Sequence, residues 1–445
     1  MLEGKLLALR AALNSSKASL VYTVLACLTV SLSIENYAIP LFILWVLLVL
    51  LLDASFLNIF LPVTLLCGFA IRTAGQSAML LNHLWLAIPV VVVIAVHFIL
   101  YGKRRKLRML FPQLAISAAL LLGGVFRISP ENYFKPDALY YVFFLGLGMV
   151  FFYVWFRSGV CSNAFYDVRE KLMECLFCLG IFCTYSIFDQ ALRLFLATGK
   201  PLGAYLWSND ICELMLFCIP AAFYYAKKRY GFIAFGFLFY GSMVLTQSLS
   251  ALLAGGVLLV VCLVYLLFYR KTLRALTAVL LGCLCVGAIS AFAFLTWKSG
   301  GLAALFSKEE NGRLDLIKNA WQGFLSSPIF GVGIGQPSGY VGFMSIDWTH
   351  NFIFQILGSM GIIGVLAYGY QLYERGKLIF SHPDPFRLAA GLSYLGLFLI
   401  SMLQPGEFCP MPYAMMAVMI FTVLEVSEEE RLEKQKSEEK TAISS

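Results

Sequence analysis

The chain has 445 residues, of which 60% are hydrophobic and only 13% charged, with a mean hydropathy of +0.82 and a formal net charge of +8. This composition excludes a soluble globular domain, because whole windows of about 20 residues are apolar all round and require lipid as solvent. The short alternating strands of a transmembrane β-barrel are not seen, and the positive charge calls for no nucleic acid, since it sits in the loops of a helical membrane protein.

From the N-terminus, Lys5, Arg10 and Lys17 are scattered among apolar positions, and the first apolar run begins near Leu20 without a small-residue cleavage site, so the first span is expected to stay as an anchor. Hydropathy gives fourteen spans (12–14), near 20–35, 38–53, 55–71, 84–101, 109–126, 137–156, 172–190, 209–226, 231–247, 250–268, 273–296, 351–371, 387–403 and 409–425. The expected fold is an all-α polytopic membrane protein with one transmembrane domain over residues 1–426. Basic groups cluster after every second span: Lys103-Arg104-Arg105-Lys106 with Arg108, Arg157 with Arg169 and Lys171, Lys227-Lys228-Arg229, Arg270-Lys271 with Arg274, and Arg375, Lys377 and Arg387. The positive-inside rule puts these loops and both termini in the cytoplasm, and exports the long segment Lys298–His350. Residues 427–445 have mixed charge (Glu428, Glu429, Glu430, Arg431, Glu433, Lys434, Lys436) and no apolar face, which reads as a disordered cytoplasmic tail. Most of the twelve cysteines lie in or beside apolar runs and read as small buried hydrophobes; one CxxC pair, Cys175 and Cys178, is no metal site by itself.

The exported side carries basic groups that run against the orientation rule: Arg72 and His83, Arg127 and Lys135, Arg193 and Lys200, then Lys298, Lys308, Arg313 and Lys318. They suggest an anionic ligand at the membrane boundary, gripped by guanidinium forks. The alternative is that Arg72, Arg127 and Arg193 snorkel to lipid headgroups. Within the long loop, Leu314, Ile317, Trp321, Phe324 and Leu325 recur at helical spacing, which predicts an amphipathic helix on the outer surface, ended by Pro328. Gly331, Gly333 and Gly335 follow at alternate positions, where backbone could approach a ligand closely, but without the context of a nucleotide fingerprint. His350-Asn351 then opens a span whose Gly358, Gly361 and Gly364 permit close helix packing.

Asn311-Gly312-Arg313, Trp321, Ser327-Pro328-Ile329-Phe330-Gly331-Val332-Gly333-Ile334-Gly335, His350-Asn351-Phe352-Ile353-Phe354-Gln355 and Gly361-Ile362-Ile363-Gly364 together resemble the signature of the O-antigen ligase and polymerase superfamily. Ser208-Asn209-Asp210 is similar to that family's Asn-containing helix start. The resemblance implies a bacterial cytoplasmic-membrane glycosyltransferase with a GT-C-like bundle. It would move a glycan from an undecaprenyl-diphosphate carrier to the hydroxyl of a glycolipid, glycan or protein acceptor. It further implies that Arg313 engages the diphosphate, that His350 is the base towards the acceptor, that Asn351 and Asn209 support them, and that no metal or other cofactor is needed. Family members often carry an arginine after a serine at the start of the tenth span, where this chain reads Thr246-Gln247-Ser248-Leu249-Ser250. Arg193 or Arg127 could supply that charge, with Arg72 and Lys298 as further diphosphate ligands. A ligase and a repeat-unit polymerase differ only in the acceptor. From another class, a flippase for lipid-linked glycans would also suit many spans with buried polar residues such as Asp189, Gln190 and Glu213.

Overall fold

The computed structural model describes residues 2–52, 57–72, 85, 87–125, 141–162, 165–199, 208–269, 274–282, 284, 313–334 and 349–444, and among them every regular element is helical. In chain order these are α1 (Leu2–Asn14), α2 (Ser16–Leu32), α3 (Glu35–Leu52), α4 (Leu57–Arg72), α5 (Ala87–Tyr101), α6 (Leu110–Leu122), α7 (Met149–Gly159), α8 (Val168–Thr198), α9 (Ser208–Ala226), α10 (Phe232–Val244), α11 (Leu249–Tyr269), α12 (Arg313–Ser326), α13 (Phe352–Phe380), α14 (Pro385–Ser401) and α15 (Met415–Ser444). A π-helical turn, Phe144–Gly148, precedes α7.

Apolar surface is spent in two ways. Residues such as Tyr37, Leu41, Ile88, Val91 and Ile99 face outward on α3 and α5, where only lipid can solvate them. By contrast α9 and the first half of α15 are apolar all round because other helices surround them. From Ile211 to Phe223 nearly every α9 side chain is buried, as it packs on α8, α10, α11 and α14. Small residues let these helices approach: a Cβ at Gly236 would meet the Phe223 ring at 2.4 Å, and one at Gly396 the Leu216 carbonyl at 2.9 Å.

Among the described residues, six helices are long and apolar enough to cross a bilayer singly, and a seventh crossing results if α1 and α2, bent by 62°, act together. That is fewer than the fourteen spans read from hydropathy. Several of those spans are helices of 10–17 residues, including α6, α10 and α14, and the span expected at 273–296 lies mostly outside the described residues.

The largest departure from a straight span is α13. Gly361 has φ 61° and ψ −152°, which breaks the helix, and the two arms fold back on each other. Phe352 and Tyr368, sixteen positions apart, would be about 24 Å apart along a straight helix, yet their ring centroids are 5.0 Å apart. Phe408, in the connection from α14 to α15, closes the cluster at 6.3 Å from Tyr368.

The opposite end of α9 and α14 carries the basic loops, and here α15 is tied down by ion pairs. Arg157 Nη2 meets Glu429 at 2.7 Å and its Nε meets Glu425 at 3.3 Å; the Tyr153 hydroxyl also donates to Glu425, at 2.9 Å. Arg387, fully buried, pairs with Glu428, and the Ser162 hydroxyl donates to Glu430 at 2.9 Å. The segment read as a disordered tail therefore continues as helix to Ser444. Its glutamates have no apolar face to bury, but they neutralise arginines that burial would otherwise leave unpaired.

Candidate functional site

His350 is fixed by its two neighbours in sequence. Asn351 caps the first arm of α13, its side-chain oxygen accepting from Ile353 N at 3.1 Å and Phe354 N at 3.2 Å, as a helix start with four unsatisfied N–H groups favours. The Asn351 Nδ2 donates to the Met402 carbonyl at 3.0 Å, tying that cap to the connection after α14. On the other side, buried Thr349 donates from its backbone N to Gln355 Oε1 at 2.9 Å and from its hydroxyl to the Asn351 carbonyl at 2.7 Å. Held between them, His350 adopts φ 49°, a left-handed conformation uncommon for a side-chain-bearing residue. Strain of this kind persists only where surrounding contacts over-determine it.

The imidazole reaches into a polar path made entirely of neutral groups. His350 Nδ1 lies 3.0 Å from Gln404 Oε1, Gln404 Nε2 donates to Ser250 Oγ at 3.2 Å, Ser250 Oγ is 3.4 Å from Ser248 Oγ, and Ser248 donates to Asn209 Oδ1. This path gathers the starts of α9, α11 and α13 with the end of α14. Where the family resemblance leads one to look for an arginine, the structure has Ser248 and Ser250, buried and bonded to their neighbours. The connection carrying Gln404 is itself pinned: Glu407 pairs with buried Arg375, and the Tyr413 hydroxyl donates to the Asp210 carbonyl at 2.9 Å.

The glycine-rich run has a different use from the one its sequence suggests. Residues 328–333 lie against the break in α13 and satisfy its backbone: Val332 N donates to Gly358 O at 2.8 Å, Gly333 N to Ser359 O at 2.9 Å, and Ile362 N to Pro328 O at 2.8 Å. Gly331 has φ 64°, and an added Cβ would lie 2.4 Å from the Ser359 carbonyl carbon. At Gly361 it would lie 2.5 Å from the Pro328 oxygen. What these glycines let approach is the chain's own backbone. Gly335 lies outside the described residues.

This clamp sets the register of α12 on α13. A Cβ at Gly358 would meet the Ala320 Cβ at 3.1 Å, while Pro328 meets Ile362, so both segments run in the same direction. Arg313 precedes Ala320 by seven residues and Asn351 precedes Gly358 by seven, each about 10 Å of helix. The start of α12 and the start of α13 therefore lie towards the same end of the pair. Leu314, Trp321 and Leu325 are exposed along α12, an apolar stripe beside the bundle. The amphipathic helix expected from spacing is present.

The other residues singled out in the sequence are placed less centrally. Arg193 Nε is 2.9 Å from Asp189 and its Nη1 donates to Ser33 Oγ at 2.7 Å, so it ties α8 to the end of α2. Arg72 closes α4 and Arg313 opens α12, but their side chains lie outside what the structure describes, as do Arg127, Lys298, His83, Lys135, Lys200 and Lys308 altogether. Gln404 and Thr349 are not marked by the sequence, and Ser250 and Gln355 stand in it only within quoted runs. Nothing in their spacing singles them out, because each is one polar residue that meets the others only through folding. Among the described residues, no group of three or more His, Cys, Asp or Glu side chains is arranged to hold a metal ion.

Compared with known proteins, residues 214–369 match the family model described as O-antigen ligase. The matched stretch includes Arg313, Gly331, His350 and Gly361; Asn209 and Gln404 fall outside it. No curated protein and no solved structure matches the chain.

Proposed function

With residues 214–369 assigned to the O-antigen ligase family, we propose that this multi-pass membrane protein transfers a glycan from a polyprenyl-diphosphate carrier, undecaprenyl in a bacterium, to an acceptor hydroxyl. The observation that supports the reading most is the register of α12 on α13, by which the starts of the two helices lie towards the same end of the pair. Arg313 is assigned to the diphosphate, where a guanidinium fork can neutralise the charge that develops as the carrier leaves, in place of a metal ion. His350 takes the acceptor proton as its oxygen attacks the anomeric carbon, and a single displacement of this kind inverts that centre. Arg193 is already engaged by Asp189 and Ser33, which favours a structural role over diphosphate binding.

The basic loops favour an orientation with the Arg157 end in the cytoplasm and His350 on the outer side. We assign the fourteen apolar segments to crossings and partial crossings, the shorter helices being completed by irregular chain buried in protein. The acceptor is a finished glycolipid, protein or wall polymer for a ligase and another carrier-linked repeat for a polymerase.

One observation favours a second reading. The broken α13 with its backbone satisfied by an inserted loop is the kind of interrupted helix found in transporters, so a flippase for the same lipid-linked glycan is the alternative. Both are tested by reconstituting the purified protein in vesicles with a polyprenyl-diphosphate glycan and an acceptor. Transfer proceeds with the chelator EDTA present, and the product carries the inverted linkage. Glycan that crosses the bilayer with its linkage unchanged, and no transfer, would overturn the enzyme reading.

A further inference from the structure

We infer that Gln404 is a positioning residue that fixes His350 in the tautomer protonated on Nδ1, so that the lone pair of the ring is carried by Nε2. The inference rests on His350 being the base of the proposed reaction. Nothing about Gln404 follows from the family match, which ends at residue 369.

The protons along the polar path can be counted from its far end. Ser248 donates its one hydroxyl proton to Asn209 Oδ1. With that proton used, the hydrogen bond to Ser250 at 3.4 Å is donated by Ser250. Ser250 has then used its own proton and can only accept from Gln404, which fixes Gln404 Nε2 as the donor at 3.2 Å. The other end of the amide is Oε1, which only accepts, so the imidazole nitrogen 3.0 Å away must carry a hydrogen. With the Asn209 and Gln404 amides as they stand in the structure, every bond in the path points from His350 towards Asn209; flipping either one alone would set two donors or two acceptors against each other, and only both flipped together would reverse the path. Gln404 is buried, at 2% exposure, so water cannot easily replace a lost partner.

A neutral amide here has a consequence that a carboxylate would not. It orients the ring without placing beside the imidazolium the negative charge that a carboxylate would. Among the described residues, the charged groups on elements packed around the site are Asp210 and Glu213 on α9, Arg375 on α13 and Glu407 in the connection. Asp210 is taken up by Tyr413, and Glu407 by Arg375 and Tyr394.

The test uses the full-length protein in lipid nanodiscs with 15N-labelled histidine, the His350 signals being assigned by loss in His350→Ala. At a pH where the ring is neutral, the wild type is expected to show the Nδ1–H form. Gln404→Leu, which keeps the volume and cannot accept, should release it to a mixture containing Nε2–H and slow transfer by roughly 10-fold or more, with the donor KM unchanged. Gln404→Glu should keep the Nδ1–H form and move both the His350 titration and the acid limb of the transfer rate upward by about one pH unit or more. A wild-type Nε2–H form, or an Nδ1–H form that survives in Gln404→Leu, overturns the assignment whatever the protein's activity. If the spectra behave as expected while His350→Ala leaves transfer intact, the hydrogen bond stands, but the reading of His350 as base falls, and Gln404's role in catalysis with it.

Discussion

Arg157 and His350 lie towards opposite ends of the bundle and are held by different kinds of partner. Arg157 is surrounded by carboxylates, Glu425 and Glu429, and belongs to a belt in which Arg387, Glu428, Arg431 and Glu430 also take part. The His350 ring meets the Gln404 amide, and from Gln404 to Asn209 the described path holds amides and hydroxyls. The difference separates a charged end from a polar, uncharged one. Charges locked in pairs stabilise one arrangement and have little left to offer a ligand. An imidazole oriented by an amide is held in place without a carboxylate at that contact.

This contrast can be broken at either end. The largest effect is expected at the charged one. Arg157→Met leaves Glu425 buried without its cation, and should destabilise the protein by about 3–5 kcal/mol, most of it recovered when Glu425→Gln is added. Thermal unfolding in detergent measures both, and an unchanged midpoint for the single variant would mean that the belt is not structural. Next is the clamp on α13. Gly331→Ala forces a Cβ onto the Ser359 backbone at a left-handed position and should cost about 1–3 kcal/mol. Gly369→Ala, later in the same helix with open space around it, should be neutral or slightly stabilising. Equal losses for the two would show that the break is not held by residues 328–333.

Arg193→Gln sharpens the comparison further. If its guanidinium is occupied by Asp189, transfer should stay within about threefold of wild type and stability within about 1 kcal/mol, as for other partly exposed pairs. A much larger loss of donor affinity would return Arg193 to the diphosphate site. The smallest effect concerns Asp167, before α8. Burial raises its pKa, but hydrogen bonds and charge from Arg169 outweigh that and hold it below the usual carboxylate value. A lowered native pKa contributes stability that is complete above the unfolded value of about 3.9 and is lost as pH falls through the native one. Asp167→Asn should therefore lower the unfolding midpoint slightly at neutral pH and converge with wild type in strong acid; a constant offset at all pH values would contradict this.

Much of this was legible in the residues. Apolar windows gave the membrane class, the spacing of Leu314, Ile317, Trp321 and Phe324 gave α12, and the His350-Asn351 pair marked a helix start. Hydropathy could not see that the span after His350 is folded in two at Gly361, because a broken helix and a straight one have the same composition. Nor could it tell that Gly331 faces backbone, since a glycine reports only that something comes close. Gln404 and Ser250 were silent because they lie far from His350 in sequence and meet it only through folding. The tail after Val426 was misjudged for a related reason: its glutamates have no apolar face, and their partners, Arg157 and Arg387, lie far from them in sequence.

The most direct test of the account is the rate of glycan transfer by purified His350→Ala from a polyprenyl-diphosphate donor, compared with wild type at equal folded protein. Loss of a positioned base predicts a fall on the order of 100-fold or more with the unfolding midpoint unchanged. A variant that transfers at the wild-type rate would contradict the claim that the polar end of this bundle exists to present His350.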